Sequence, residues 1–189
     1  MPTLLPPSVP VSQIGRAAHD VGLAGLLGGQ VFGRMALHPA VTEISDPRER
    51  GAVVNAAWRR YGVINGLGLL TATTGWAGAR LAEAADRNLS PRERRLARAK
   101  DALMVATFAS GVANAVQGMR FARQGDTPLI DGDTPAPGAP ERAAGIKRTL
   151  NTLGLLSIGS ELGLVAVNAA LNQEGFRRPP LRRRLWKRP

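Results

Sequence analysis

The chain has 189 residues, with 25 Lys and Arg against 14 Asp and Glu, no Cys, and a formal net charge of +11. The lack of cysteine excludes a disulfide framework, a thiolate metal site and a cysteine nucleophile. The positive charge favours anionic partners, either lipid headgroups or nucleic acid.

The charged residues are strongly clustered along the chain. Residues 61–79, 102–119 and 149–160 contain no Asp, Glu, Lys or Arg, and residues 21–42 contain only Arg34. A solvated helix normally carries a charged face, so uncharged runs of this length indicate helices that are buried on all sides. A bilayer span needs about 20 such residues. The sequence therefore predicts an all-α fold, a four-helix transmembrane bundle with polar helix extensions.

The membrane domain is predicted to cover residues 12–174, and its first helix residues 12–38. The preceding segment, residues 1–11, is proline-rich and is predicted to be flexible. This segment has no charged region that leads into an apolar core and a cleavage site, so no removable signal peptide is predicted.

Repeated phrases mark the starts of the next three helices. DPRER at 46–50 and SPRER at 90–94 place an Asp or Ser before a proline, and PER at 140–142 is a shorter version of the same pattern. The Asp or Ser side chain caps the helix by accepting a first-turn N–H, and a proline at the first helical position loses no hydrogen bond. The predicted helices are 47–88, 91–123 and 140–174.

The segment 124–139, between the third and fourth helices, is rich in Pro, Gly and Asp. It is therefore predicted to be irregular and to order poorly. Its Asp131-Gly132-Asp133 sequence carries two carboxylates that can contact a cation, but the same residues are typical of a plain turn, which is the interpretation we favour.

Glycines at four-residue spacing predict close packing between helices. A helix without side chains along one stripe lets a second backbone approach closely and gain dispersion contact. A phosphate-binding glycine loop would require a preceding strand, which is not predicted here. The predicted packing positions are Gly25, Gly29, Gly33, Gly62, Gly66, Gly159 and Gly163.

One phrase occurs twice in the apolar runs. NGLGLLT at 65–71 and NTLGLLS at 151–157 are 86 positions apart, and the same offset relates Gly25 to Gly111 and Arg34 to Arg120. The match predicts two tandem helix hairpins of the same orientation. Chance similarity between helices rich in Leu and Gly is the alternative.

The flanks of the predicted helices differ in their content of basic residues. Segments 1–20, 80–101 and 172–189 together contain 15 Lys and Arg, whereas segments 39–60 and 120–148 contain 9. Because cytoplasmic flanks are enriched in Lys and Arg, we predict a multi-pass protein of the cell membrane with both termini in the cytoplasm.

The carboxyl-terminal tail, residues 175–189, is predicted to bind lipid headgroups because its basic residues alternate with Leu and Trp directly after an apolar helix. A tail that binds nucleic acid would have a similar charge and is the alternative. The predicted headgroup contacts are Arg182, Arg183, Arg184, Trp186, Lys187 and Arg188.

Two ionisable residues, Arg34 and Glu161, interrupt the apolar runs. A charge inside a bilayer is costly, so such residues are usually paired, functional or extended towards the headgroups. The simplest interpretation of Arg34 is a side chain that extends to the lipid headgroups. The simplest interpretation of Glu161 is a carboxyl with a structural role, either in an ion pair or protonated and buried. The sharper hypothesis is a polar cavity that binds a ligand or relays protons. Its candidate residues are Arg34, Asn65, Asn114, Gln117, Asn151 and Glu161.

Catalytic patterns are missing from the sequence. His19 and His38 lie at opposite ends of the first predicted helix, so they cannot share a metal ion. There is no His/Glu cluster at ligand spacing and no Ser/His/Asp arrangement. We therefore predict no catalytic residue, no metal and no cofactor.

The stretch GLAGLLGGQVFGRMALHPAVTEI, followed by a helix rich in Asn and aromatic residues, carries a family resemblance over about residues 20–80. It resembles small four-helix integral membrane proteins of bacteria, including the anthrone-oxygenase-like family. The resemblance implies the architecture, and no catalytic residue is transferred from the family.

Three functional hypotheses follow from these features. The first is an integral membrane protein that acts as an accessory or assembly subunit of a larger envelope complex, without catalysis of its own. Its predicted partners are membrane lipids and either other membrane protein subunits or further copies of the chain, rather than nucleic acid. The second is a membrane-embedded enzyme or carrier for an apolar metabolite that uses the Glu161 region. The third is a soluble basic helical bundle that binds nucleic acid.

Overall fold

Four long helices and no strand make up the part of the chain that the structure, a computed structural model, describes, residues 11–177. The predicted all-α class is therefore confirmed. The predictions of a flexible segment over residues 1–11 and of a lipid-binding tail over residues 175–189 fall almost entirely outside the described residues. The helices are α1 (Val11–Phe32), α2 (Pro47–Leu81), α3 (Pro91–Ala122) and α4 (Glu141–Arg177).

The chain stays helical for some way beyond α1. A π-helical turn (Gly33–Leu37), a three-residue α-helical turn (His38–Ala40) and a 3-10 turn (Val41–Glu43) follow in succession. Pro39 has no N–H to donate, so a regular α-helix cannot continue through it. The predicted first helix ends close to this proline, but its last turn is a π-helix, which the sequence pattern did not predict.

The predicted starts of α2 and α3 are confirmed by their caps. The Asp46 side chain accepts a hydrogen bond from the backbone N of Arg48 at 2.8 Å. Ser90 and Glu93 form a reciprocal capping box, in which Ser90 Oγ accepts from Glu93 N at 3.3 Å and Glu93 Oε2 accepts from Ser90 N at 2.8 Å. Each cap satisfies backbone donors that the first helical turn leaves free.

The predicted end of the second helix is wrong, because α2 ends at Leu81 rather than at residue 88. The guanidinium of Arg80 lies 3.1 Å from carboxylate oxygens of both Asp101 and Asp86, and it also donates to the carbonyl of Ala84. These contacts hold the chain as it turns back after α2. Bonds to residues that follow the helix therefore override the local preference for helix.

The four helices form two antiparallel hairpins, in which α1 packs along α2 and α3 packs along α4. In the first hairpin the two backbones approach very closely. A Cβ atom at Gly22 would lie 2.7 Å from the carbonyl oxygen of Gly68, and one at Gly68 would lie 2.9 Å from that of Gly22. Only glycine fits at these two positions, and neither was among the predicted packing glycines.

The α3–α4 segment packs across one end of the bundle, although its composition predicted poor order. Leu129 is completely buried, and its backbone N donates to the carbonyl of Pro47 at 2.9 Å. Arg50 donates to the carbonyl of Ile130 at 2.6 Å. Burial of one leucine and these bonds to α2 fix the path of the segment.

The middle of the bundle exposes many apolar side chains around an interior that is partly apolar and partly polar. The apolar part of the interior is formed by Leu23, Leu26, Leu69, Ala72, Trp76, Ala97, Met104 and Leu164. Large apolar side chains are exposed on all four helices, and they include Val21, Val31, Val63, Leu67, Leu70, Val105, Phe108, Val112, Leu155 and Leu162. Polar side chains are buried between the helices, and they include Thr107, Ser110, Ser157, Ser160 and Glu161.

Two of the described helices are long and apolar enough to cross a membrane, over Pro91–Ala122 and Glu141–Gly175. Both belong to the second hairpin. The first hairpin is interrupted by Gly, Thr, Asn and Arg, which lower its mean hydropathy.

Candidate functional site: an interhelical cavity

A cavity of about 420 Å³ lies between the helices, near the end that the α3–α4 segment covers. All four helices contribute to its wall, and Asp133 contributes from the α3–α4 segment. Gly62, Gly66 and Ala115 line the cavity and are also exposed on the surface of the bundle. The cavity therefore opens sideways, between α2 and α3.

The cavity exists because small residues face each other across this opening. A Cβ atom at Gly62, Gly66 or Gly118 would meet no atom within 4 Å. Ala115 and Ala122, on the same face of α3 as Gly118, add only methyl groups to the wall. Side chains of ordinary size at these positions would fill the space, as they do in most helix interfaces.

One end of the cavity is charged. Arg34 Nη1 lies 4.0 Å from Asp133 Oδ1, and the same oxygen lies 2.9 Å from His38 Nδ1. Burial of the Asp133 carboxyl opposes its ionisation, but the His38 imidazole and the positive charges of Lys147 and Arg34 outweigh burial. Together they hold the pKa of Asp133 below its ordinary value. Asp133 is therefore an anion at neutral pH.

Lys147 lies at this end in cation–π contact with Phe121, but without a hydrogen bond or ion pair to any described residue. Its side chain is buried, with 4% of the residue exposed, and its Nζ is 5.8 Å from the centre of the Phe121 ring. Within residues 11–177 the ammonium makes no hydrogen bond and no ion pair within 4.0 Å, and the charges of Asp133 and Asp131 act on it only at longer range. A buried cation in this state is available to an anion that enters the cavity.

Amide side chains line the middle of the cavity. Asn151 Nδ2 donates to the carbonyl of Asp133 at 2.9 Å, and Asn114 Nδ2 donates to Ser157 Oγ at 3.1 Å. Gln30 and Asn65 also line the cavity, and their amides form no hydrogen bond with any other described residue. These two amides are free to bind the polar groups of a ligand.

The structure brings together four of the six residues of the predicted polar cluster. Arg34, Asn65, Asn114 and Asn151 line the cavity, and Asn65 and Asn151 are also the first residues of the repeated phrase. Gln117 is outside the cavity, where its Oε1 lies 3.4 Å from Arg120 Nη1.

Glu161, the other member of the predicted cluster, is buried and does not line the cavity. Only 2% of the residue is exposed, and its Oε2 has no hydrogen-bond partner among the described residues. The ion-pair partner of Arg34 is Asp133, so Arg34 and Glu161 do not pair. The α3–α4 segment, which the sequence pattern does not place in space, supplies the partner of Arg34.

A ladder of hydroxyl groups, here called the polar seam, joins α3 to α4 next to Glu161. Thr107 Oγ1 donates to Ser160 Oγ at 2.9 Å, and Ser157 Oγ donates to Ser110 Oγ at 2.9 Å. In an apolar environment such bonds hold helices together, because lipid offers no competing partner.

The predicted packing glycines divide into two groups. Gly29 and Gly33 approach the rings of Tyr61 and Trp58, and Gly163 approaches Leu103. A Cβ atom at Gly25 would be in ordinary contact with Ile64. The remaining three face open space, so they have no packing role within the chain: Gly62, Gly66 and Gly159.

Several residues of the site were not predicted. Lys147 lies in the basic flank 120–148 and Asp133 lies in the predicted turn, and neither residue belongs to an apolar run. One usable signal was the spacing of Gly111, Ala115, Gly118 and Ala122, which places four small residues on one face of α3.

The opposite end of the bundle carries a second group of polar contacts. Lys100 is buried over the ring of Trp76, 4.0 Å from its centre, and its ammonium donates to Asn168. Asn168 Nδ2 in turn donates to Asp20 Oδ1 at 3.1 Å. All of these groups have partners within the fold. Over residues 11–177 no three His, Cys, Asp or Glu side chains are grouped so as to hold a metal ion.

No protein-family model matches the chain, and no curated protein or solved structure shows significant similarity to it. The resemblance to four-helix bacterial membrane proteins therefore stays a prediction.

Proposed function

We propose that the protein is an integral membrane protein whose four helices cross the bilayer, and that it binds a small ligand between them as a membrane-embedded carrier or receptor. The observation that carries the membrane location is the set of large apolar side chains exposed along the middle of all four helices. Soluble proteins rarely expose a continuous apolar surface, and polar groups between apolar helices are typical of membrane proteins.

The dimensions of the helices support this proposal. The charge-free runs 61–79 in α2 and 102–119 in α3 are about 28 and 27 Å long at about 1.5 Å per residue. The hydrocarbon core of a bilayer is about 30 Å thick. Although α1 and α2 are less apolar than α3 and α4, their exposed Val63, Leu67 and Leu70 face the same surroundings as the valines of α3.

The cavity supports the binding function. Its volume lies within the range of about 300–1,000 Å³ that small-molecule sites occupy. The lateral opening between α2 and α3 faces the hydrocarbon in this arrangement, so a ligand enters from the lipid. The sequence predicted a ligand site near Glu161, whereas the proposed site is the cavity near Lys147.

The structure bears differently on the two other hypotheses, a soluble nucleic-acid-binding bundle and an accessory subunit. A soluble bundle that binds nucleic acid is disfavoured by the exposed valines and leucines, which would be in contact with water. The accessory-subunit role stays a prediction, and it is compatible with a bundle that also binds a ligand.

Membrane extraction and cysteine labelling test the proposal. We expect the protein to stay in the membrane fraction in high salt and at alkaline pH, and to be released only by detergent. Release by salt alone would overturn the membrane location.

The chain contains no cysteine, so a single introduced cysteine is the only residue that a maleimide labels. D126C lies in the α3–α4 segment and R87C lies between α2 and α3, and both positions are exposed. With both termini in the cytoplasm, a membrane-impermeant maleimide labels D126C in intact cells and labels R87C only after lysis. The reverse pattern would overturn the orientation, and equal labelling in intact cells would overturn the four crossings.

A further inference from the structure

We propose that the cavity binds an amphiphile with one anionic headgroup and an apolar tail. The headgroup lies against Lys147 and Arg34, and the tail extends between α2 and α3. This inference rests on the proposed function, and it adds the chemical class of the ligand.

The charge of the cavity lining is unbalanced. Arg34, Arg59 and Lys147 line the cavity, whereas Asp133 is the one carboxylate of the lining among the described residues, and Asp131 acts on Lys147 from outside the lining at longer range. Asp133 is already engaged by His38 Nδ1 at 2.9 Å and by Arg34 Nη1 at 4.0 Å. A buried ammonium with no hydrogen bond and no ion pair is costly, and an anionic headgroup would supply the missing bond.

The rest of the wall fits a tail. Leu69 and Ile158 line the cavity from α2 and α4, and Gly66, Gly118 and Ala115 leave the space beside them open. An apolar chain that lies here exchanges lipid contacts for protein contacts at little cost. A headgroup without a tail would leave this part of the cavity unfilled.

The two free amides refine the class of ligand. Gln30 and Asn65 lie in the cavity without hydrogen bonds to other described residues, and each amide both donates and accepts. They suit an ester, amide or hydroxyl group next to the headgroup. A cationic amphiphile is disfavoured, because the positive charges of Lys147 and Arg34 would repel its headgroup.

Trp58 provides a direct assay, because its ring lines the cavity. W76F and W186F leave it as the single tryptophan of the chain. Bromine atoms quench indole fluorescence only at contact distance, so brominated amphiphiles report occupancy of the cavity. Trp58 lies at the charged end of the cavity, bonded to His38, so the bromine must be next to the headgroup. The double variant is reconstituted into phosphatidylcholine vesicles and titrated with 2-bromododecanoic acid. We expect saturable quenching by the acid, and at least about tenfold weaker binding of 2-bromododecan-1-ol, which lacks the charge.

Matched variants locate the headgroup. K147Q is expected to weaken binding of the acid by about tenfold or more, and K147R to restore most of it. R148Q removes the adjacent exposed charge and is expected to leave binding unchanged. G118L places a side chain in open space and is expected to abolish quenching while thermal unfolding shows a retained fold.

Two sources of the ligand are distinguished by a second titration. Quenching by phosphatidylglycerol that carries bromine on the second carbon of its acyl chains, but not by the free acid, would identify an anionic lipid of the bilayer as the ligand and keep its chemical class. Quenching by the acid alone would identify a free single-chain amphiphile.

Three outcomes would overturn the inference. They are equal affinity for the acid and the alcohol, equal effects of K147Q and R148Q, and no saturable quenching by either anionic amphiphile. In a protein that resists salt extraction, any of these rejects the ligand class and leaves the membrane location intact.

Discussion

The Nε1–H of Trp58 donates to Nε2 of His38 at 2.9 Å, and this bond decides which nitrogen of the imidazole carries its proton. Since Nε2 accepts, the proton of the neutral ring is on Nδ1, which lies 2.9 Å from Asp133 Oδ1. One tryptophan on α2 thus orients the imidazole that follows α1, and the imidazole in turn contacts the α3–α4 segment.

We expect W58F to destabilise the protein by about 1–3 kcal/mol, because it leaves the buried Nε2 of His38 without a donor. Chemical unfolding in detergent, followed by circular dichroism, measures the change. Y61F is the matched control on the same helix, since it removes a hydrogen bond to the carbonyl of Gly25 and leaves His38 untouched. Equal losses in the two variants would contradict a specific role for the His38 bond.

Gly132 is required by a close approach rather than by its backbone conformation. Its backbone N donates to the carbonyl of His38 at 3.0 Å, and a Cβ atom there would overlap the His38 side chain. We expect G132A to lower the free energy of unfolding by about 1–3 kcal/mol through overpacking. In G145A, on α4, the added methyl meets open space, so this variant should gain up to about 1 kcal/mol from helix propensity. A neutral G132A would show that the segment can move away from His38.

The carboxylate of Asp133 makes the stability depend on pH. The pKa of Asp133 is below its ordinary value in the folded chain, so its contribution is present above about pH 4 and is lost as the pH falls through the folded pKa. We expect D133N to be less stable than the parent at pH 7 and the difference to shrink towards pH 3. D126N, which changes an exposed carboxylate of the same segment, should show no such difference. A constant gap between parent and D133N would contradict the assignment.

Ser157 is central to the polar seam, because its hydroxyl accepts from Asn114 and donates to Ser110. We expect S157A to cost about 1–2 kcal/mol, since the half-buried amide of Asn114 loses its acceptor and the buried hydroxyl of Ser110 keeps only its bond to the carbonyl of Thr107. T152A is the control on α4, where the exposed hydroxyl bonds only to the carbonyl of Arg148 in its own helix. Equal unfolding midpoints for both variants would show that the seam does not hold the second hairpin together.

Helix starts were predictable because they depend on neighbouring residues. Asp46 and Ser90 cap the turns that directly follow them, so the cause and the effect lie within four residues. The end of α2 was not predictable, since Arg80 is bound by Asp101, which is 21 positions away along the chain. Local patterns carry the first kind of information and lack the second.

Arg34 and the asparagines of the candidate site were predictable, whereas Asp133 and Lys147 were not. Asn65 and Asn151 are polar residues within or next to apolar runs, which is a visible anomaly. Asp133 is one of several acidic residues in a loop, and only the burial of Leu129 and the fit of Gly132 against His38 bring it to Arg34. The path of a loop is a tertiary property, so the partner of Arg34 required the structure.

The close approach of Gly22 and Gly68 has a consequence for biosynthesis. The first hairpin is sealed by backbone contact that needs nothing from the second, so it can close while the ribosome is still translating α3. The polar seam likewise belongs wholly to the second hairpin. We therefore expect two separately expressed halves, divided between Leu81 and Pro91, to insert independently and to co-purify as a complementing pair.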